Sequence, residues 1–390
     1  MKVLVVQGWV DPAGRDPDAL LAAWPTLPGM AGALRRAGAQ VTVVCAADRD
    51  VVVDRDGVRY RFVAEERGWS ARRLIGHRAA PHPARTLQAA AAVGADVVHL
   101  HGLSFPRQAR ALRRAHPRAL LVAQDHADRP PSGLRRLVHA RGLSALDAVV
   151  ATHPDLVGPF VEAGLLAPDL PVIAVPEGST DFRPGDRTAA REATGVQGDP
   201  AVLWVGRMVP DKGPRTALEA VARCGDGRTR LWMLSPGGPL EPEVSRLVRE
   251  RADLAHRVHR MPPVPHARME LLLRAADLLL APSRREGGAY TVVESLACGT
   301  PVVASDIPAH RALLGPEPPG RLVPGAGADE LGAALREVWA GGARLRAAAR
   351  QRFDEALSWD VVGRRLVAGY RALLDHRRGA GAASGSGGGR

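Results

Sequence analysis

Short apolar runs recur along the chain between stretches of helical spacing: Val3–Val6, Val41–Cys45, Val97–Leu100, Ala119–Ala123, Ala148–Ala151 and Val172–Val175, then Val202–Val205, Leu231–Leu234, Asp277–Ala281 and Pro301–Ala304. Runs that are apolar throughout predict strands covered on both faces, and their alternation with helices predicts parallel sheets. Between the sixth and seventh runs, residues 176–187 (PEGSTDFRPGDR) hold two prolines and two glycines without apolar periodicity, and read as a connection between two doubly wound units. The predicted division is 1–176 for the first unit and 177–357 for the second. A helix over 358–376, spaced by Val361, Leu366, Tyr370 and Leu373, is expected to return to the first unit. Asp54-Arg55-Asp56-Gly57, set between Val51–Val53 and Val58–Val63, predicts a hairpin. Residues 377–390, dominated by Gly, Ala and Ser, predict a flexible, disordered tail. The fold class expected is therefore α/β, with two Rossmann-like parallel-sheet domains facing a cleft. Ligands of such sheets bind at the carboxyl ends of the strands.

Composition narrows the function classes. With 390 residues, 46% apolar and 24% charged, the chain has the make-up of a globular protein of about two domains. The formal net charge of +12 invites a polyanion partner, but residues 1–175 and 176–390 each carry +6, with no basic arm, so nucleic acid is not expected. Lysine occurs only at Lys2 and Lys212. Cys45, Cys224 and Cys298 show no metal or disulfide spacing, which points to a reducing, cytoplasmic setting. No run approaches the ~20 apolar residues of a membrane helix, and Val3–Val6 is too short an apolar run for a signal peptide.

The densest chemical signal is residues 281–304, APSRREGGAYTVVESLACGTPVVA. It reads as a strand end, a glycine-bearing loop, a helix from about Thr291, and a second strand after Gly299-Thr300-Pro301. Gly287 and Gly288 let backbone approach a ligand, and the free amides near Ala289, Tyr290 and Thr291 favour an anion. Glu286 in the loop and Glu294 in the helix can each accept hydroxyl hydrogen bonds from one elongated ligand, with a phosphate between them. Upstream, Gly206-Arg207 and Lys212-Gly213 follow a predicted strand, an arrangement suited to neutralising a diphosphate. Lys212 stands where a chain that otherwise uses arginine has kept a lysine.

These segments resemble the E-x7-E signature, the P-S-x-x-E-G and A-C-G-T-P-V-V flanks, and the G-R-x-x-x-x-K-G element of the retaining family 4 glycosyltransferases with the GT-B fold. Pro176–Pro184 is similar to the family's interdomain P-N-G segment, with Glu177 for Asn. The stretch 257–263, near Met261, matches where the family holds the nucleobase. Val97–Gly102 and Gln124–His126 resemble two histidine sites that face the donor. The resemblance implies catalytic roles for Arg207, Lys212, Glu286 and His126. It implies substrate binding by Glu294, Gly206, Gly287, Gly288, Ala289, Tyr290, Thr291, Met261 and His101. Two departures stand out: Trp24–Gly29 replaces the family's glycine-rich acceptor loop, and Gly287-Gly288-Ala289-Tyr290 replaces G-F-G-L. The first opens the question of the acceptor, the second that of the donor sugar.

Other constellations carry less. His99 and His101 share a strand face and can begin a metal site, but no third ligand has suitable spacing. The D-x-D patterns at Asp48–Asp50 and Asp54–Asp56 flank the hairpin and read as turn chemistry. No G-x-G-x-x-G follows the first strand, and neither a P-loop nor a G-x-S-x-G elbow occurs. Residues 104–143 hold nine arginines against Asp125 and Asp128. A solvated face is the ordinary reading; the sharper one is a docking face for an anionic acceptor or a weak peripheral contact with the inner face of a membrane.

The expected reaction is transfer of a hexosyl group from a UDP-, GDP- or ADP-sugar to an acceptor hydroxyl, with retention of configuration and no metal or other cofactor. A nucleotide-sugar epimerase, a sugar phosphorylase and a non-catalytic nucleotide-sugar or nucleic-acid binding protein are the alternatives. Acceptor-free turnover, a differently placed cofactor lysine, or binding without nucleotide release would mark them.

Overall fold

A computed structural model describes residues 1–385, except 10, 12, 66–82 and 226. The chain forms two compact units: Met1–Gly178 together with the segment from Trp359 onward, and Ser179–Ser358.

The first unit is built on an eight-stranded sheet: β1 (Lys2–Gln7), β2 (Gln40–Ala47), β3 (Val51–Arg55), β4 (Val58–Ala64), β5 (Val97–His101), β6 (Leu120–Gln124), β7 (Ala148–Ala151) and β8 (Val172–Ala174). Their spatial order is β3-β4-β2-β1-β5-β6-β7-β8. All neighbours are parallel except the β3–β4 hairpin, which turns at Asp56 (φ 51°) and Gly57 (φ 72°). Successive strand residues point to opposite faces, so the runs fill two cores. Val3, Val5, Val43 and Val122 pack on one side, Leu4, Val6, Val44 and Leu121 on the other.

The first core is closed by the helix Trp359–Gly385, which lies against the helix Thr26–Arg36. Close approach requires glycine: a Cβ on Gly363 would stand 2.3 Å from the Ala33 carbonyl oxygen, and one on Gly29 2.3 Å from the Trp359 ring. Leu366, Val367 and Tyr370 complete the buried stripe. The helix continues to Gly385, so the segment from Arg377 to Gly385 is helical rather than the flexible tail expected. No proline interrupts it, and alanines extend a helix whose nucleation is already met by the anchored turns before them. Residues 386–390 of that expected tail lie outside the described residues. Trp24–Gly29 is likewise not a loop: Trp24 caps one helix, and Thr26 begins the next.

The second unit has a six-stranded, wholly parallel sheet: β9 (Ala201–Val205), β10 (Arg230–Leu234), β11 (Val258–Met261), β12 (Leu278–Ala281), β13 (Val302–Ser305) and β14 (Gly320–Val323). The order is β11-β10-β9-β12-β13-β14. Its faces are covered by two cores, one around Leu203, Leu279 and Val302, the other around Trp204, Leu280 and Val303.

Both sheets reverse their winding once. In the first the reversal falls between β1 and β5, in the second between β9 and β12. Such switch points open a crevice beyond the strand ends where α/β proteins bind ligands.

Candidate functional site

In the second unit the switch point is flanked by the two loops that carry the sequence motifs. Beyond β9, Gly206 donates its amide to the Leu234 carbonyl (3.1 Å), and the chain makes a single 3-10 turn, Pro210–Lys212. Beyond β12, Pro282 to Ala289 lead into the helix Tyr290–Ala297. The loops are bound together: the Arg284 amide donates to the Asp211 carbonyl (2.8 Å). A Cβ on Gly213 (φ 60°) would sit 2.5 Å from the Pro282 carbonyl oxygen, so only glycine allows this approach.

Across this seam the Lys212 ammonium donates to both Glu286 oxygens, at 2.6 and 2.7 Å. The side chains keep 27% and 13% exposure, so the pair is largely shielded yet reachable. Sequence reasoning gave Lys212 to a phosphate and Glu286 to sugar hydroxyls; the structure joins them to each other. Arg207, also expected there, is exposed, and its guanidinium pairs with no side chain among the described residues.

The helix start supplies a different donor set. Ala289 adopts φ 41°, rare for a side-chain-bearing residue. The amides of Gly288, Ala289 and Thr291 have no acceptor among the described residues. Outliers of this kind persist where surrounding structure over-determines them, commonly at ligand sites. Gly287, Gly288 and Ala289 are buried, Tyr290 and Thr291 half-buried. Glu294 lies one turn on, almost wholly buried, and accepts a 2.6 Å hydrogen bond from His266 Nε2. That bond raises the His266 pKa against the opposing effect of burial, and the imidazole stacks on Phe182 at 4.9 Å. Met261 ends β11, its carbonyl accepting from the Ser235 amide at 3.4 Å.

His310 was not anticipated. It is fully buried; its Nδ1–H donates to the Ser305 carbonyl (2.8 Å), and its Nε2 finds no partner among the described residues. Burial lowers its pKa, and the charges of Glu286 and Lys212 act on it. Ser305 in turn donates from Oγ to the Ser283 carbonyl, fixing the motif loop from beneath.

The first unit gathers its polar residues at the ends of β5 and β6. His101 Nδ1 lies 3.2 Å from His126 Nε2, and His126 Nδ1 lies 2.6 Å from Glu177 Oε1. Burial opposes charge on His126, yet the Glu177 hydrogen bond and charge outweigh it and raise the pKa. Burial, with the His126 charge, pushes His101 well down. Facing a carboxylate oxygen, His126 Nδ1 is the donor to Glu177, and His126 is the ring of the pair in which charge is favoured. The Nε2 of His101 has no partner among the described residues. Burial, then the neighbouring Asp128 charge, raises Asp125 to about 6. Ala127, directly after His126, is left-handed (φ 59°).

A second chain lies beneath. Tyr370 OH is 2.6 Å from His99 Nδ1, His99 Nε2 is 3.0 Å from Gln124 Oε1, and Gln124 Nε2 donates to the Glu177 carbonyl (2.8 Å). The amide oxygen can only accept, so His99 donates from Nε2 and the tyrosine donates to Nδ1. Both His99 nitrogens are thus committed, and burial lowers its pKa to about 4. Among the described residues no group of three or more His, Cys, Asp or Glu is placed to hold a metal ion. The D-x-D carboxylates are engaged locally: Asp48 with Arg49, Asp50 with Arg85 and the Ala64 amide, Asp54 with Arg59. Tyr370 and Glu177 were readable only as a helix position and a departure from a motif, since their partners lie 271 and 51 residues away.

Comparison with known proteins follows the same division. Residues 9–178 match the glycosyl transferase 4-like domain, and residues 199–340 match glycosyl transferases group 1. A D-inositol 3-phosphate glycosyltransferase of Geodermatophilus obscurus is 34% identical over 259 residues, 64% of this chain and 57% of the relative. The namesake from Nocardia farcinica is 33% identical over 280 residues, 68% of this chain and 61% of the relative. The chain thus spans little more than half the length of these relatives. Sucrose-phosphate synthase from Thermosynechococcus elongatus superposes with a TM-score of 0.69 at 20% identity, covering 96% of this chain and 99% of that one. HepE from Anabaena in complex with UDP gives 0.67 at 18% identity, covering 95% and 100%. At such identities the likeness shows the fold, two Rossmann-like α/β domains of GT-B type.

Proposed function

Because the chain belongs to the group 1 glycosyltransferases with a family 4-like first domain, we propose that it moves a hexosyl group from a nucleoside-diphosphate sugar to an acceptor hydroxyl, with retention of configuration. The observation that carries this reading is the Lys212–Glu286 pair, held across two motif loops at the β9/β12 switch point.

The barrier lies in expelling a diphosphate and stabilising positive charge on the anomeric carbon, so fixed charges and dipoles are the enzyme's main resource. Arg207, exposed and unpaired among the described residues, and Lys212 neutralise the leaving diphosphate, with the amides of Gly288, Ala289 and Thr291 as further donors. A bound donor competes for both halves of the ion pair: phosphate for the ammonium, sugar hydroxyls for Glu286. Glu294 accepts from the ribose hydroxyls in place of His266, and backbone near Met261 meets the base. His126, its pKa raised by Glu177, and His101, with its unpartnered Nε2, act on the sugar. The bond from the anomeric carbon to the diphosphate oxygen breaks, the acceptor oxygen bonds to the same face, and its proton passes to the departing phosphate. No metal enters this scheme because the protein's own cations supply the charge.

The relatives' name makes inositol 3-phosphate the first acceptor to test. Three buried free cysteines suit a reducing cytoplasm, and the 104–143 arginines are read as meeting an anionic membrane surface there. A thermal-shift panel of UDP-, GDP- and ADP-sugars tests the donor, since a ligand bound only to the native state raises apparent stability. One donor class shifting the melt, followed by product formation with inositol 3-phosphate, is expected; no shift with any donor overturns the assignment.

A further inference from the structure

The described residues expose five large hydrophobic side chains, and three stand together on the helix Arg135–Leu143 and its N-cap: Leu134 (84% exposed), Leu137 (62%) and Val138 (45%). Spacing of three and four places them on one face. A fourth, Trp9, rests against Phe105 (ring centroids 6.3 Å), the residue that opens the neighbouring helix Pro106–Ala115. The two helices pack on each other where a Cβ on Gly142 would meet Pro106.

Cations surround this apolar strip. Arg107, Arg110 and Arg114 share the outer face of the Pro106–Ala115 helix, and Arg141 continues the Leu134–Leu137–Val138 stripe by one more turn. All four are exposed, and none has an acidic partner among the described residues. Of the other arginines, Arg113 is held by Asp147, and Arg136 donates to the Ala163 carbonyl. Single exposed leucines need no explanation, but an apolar stripe rimmed by unpaired arginines is the pattern of a helix lying in a membrane interface.

We propose that this face docks on an anionic lipid bilayer, with Leu134, Leu137 and Val138 entering the headgroup boundary and the four arginines meeting lipid phosphates. The proposal rests on the membrane reading of 104–143 and adds the apolar contact that arginines alone do not supply. Charge complementarity selects the occupant: a second copy of this chain would bring its own arginines against these. No helix of the described residues is long and apolar enough to cross a membrane, so the contact is with the surface.

Flotation of the full chain with vesicles, without donor or acceptor, tests this separately from glycosyl transfer. Binding is expected to phosphatidylcholine vesicles holding 30% phosphatidylglycerol, not to pure phosphatidylcholine, and to fall at least ~tenfold from 0.1 to 0.5 M salt. Leu137→Glu or Leu134→Glu should abolish binding at low salt; both sites are exposed, so an unchanged melting temperature confirms the fold. The combined Arg107→Glu, Arg110→Glu and Arg114→Glu variant should weaken binding at least ~tenfold. Val52→Glu, a 58% exposed site on β3, should leave it unchanged. No binding to anionic vesicles, full binding by Leu137→Glu, or concentration-dependent dimers that Leu137→Glu dissolves would each overturn the proposal. A failed donor panel beside intact vesicle binding would sink the enzymatic reading alone.

Discussion

The polar centres of the two units solve one problem in opposite ways. In the second unit, charge is concentrated in two contiguous loops, and a single pair, Lys212 with Glu286, bridges them with 27% and 13% of its side chains exposed. In the first, polar groups are strung along hydrogen-bonded chains, Glu177–His126–His101 and Tyr370–His99–Gln124, whose members come from two strand ends, the connecting segment and the last helix. A loop pair can open when a ligand offers each partner something better. A buried chain cannot exchange one member without leaving the next unsatisfied. The first arrangement suits binding and release, the second fixing the protonation state of one group.

Breaking the loop pair should have the largest effect. Lys212→Ala is expected to lower kcat/KM by about 10²–10³, the usual loss when one preorganised electrostatic donor is removed. Lys212→Arg should remain at least ~tenfold down, because a planar fork does not replace a compact ammonium. Steady-state kinetics with the donor found by thermal shift decides it; activity within a few fold of the parent would remove Lys212 from the mechanism. Gly213→Ala tests the scaffold under the pair. The left-handed backbone and the 2.5 Å approach to Pro282 predict a loss of about 2–3 kcal/mol in urea unfolding. A loss under ~0.5 kcal/mol would mean that the loops yield.

In the first unit, Tyr370→Phe removes the donor to His99 Nδ1 and leaves a buried acceptor unpaired, at a cost of about 1–2 kcal/mol. The same unfolding measurement reads it. An unchanged midpoint would show that the lower chain does not hold the last helix to the sheet.

The contrast also explains what could be read in advance. Central strands announce themselves because burial on both faces demands continuous apolar runs, as at Val202–Val205 and Leu278–Ala281. β11 (VHRM) and β14 (GRLV) were not read as strands; both are sheet edges, half open to solvent, and their mixed composition lacks the signal. The loop residues of the second unit were legible because neighbours in sequence remain neighbours in space. The pairing of Lys212 with Glu286, 74 positions apart, was not. Nor was His266 on Glu294, nor Glu177 behind His126, since side-chain partners across a fold leave no periodicity. The length of the last helix was misjudged because glycine and serine suggested disorder where an anchored helix simply continues to Gly385.

Glu177→Gln sharpens the comparison at least expense to the structure. The amide oxygen can still accept from His126 Nδ1, so packing survives while the negative charge is lost. In the parent, the His126 pKa is raised above its ordinary value of about 6.5. The stability it contributes is therefore fully present below about pH 6.5 and is lost as pH rises through the raised folded value. In the variant, burial is left as the dominant influence and pushes the pKa down, so stability is instead lost as pH falls through the ordinary value. The two proteins should differ most near pH 5.5, by about 1 kcal/mol, and converge towards pH 9. Urea unfolding at pH 5.5, 7 and 9, with the His126 ring titration followed by NMR, measures both ends. A difference that stays constant across that range would mean that Glu177 only fills space. A difference that shrinks as pH rises would identify it as the group that raises the His126 pKa.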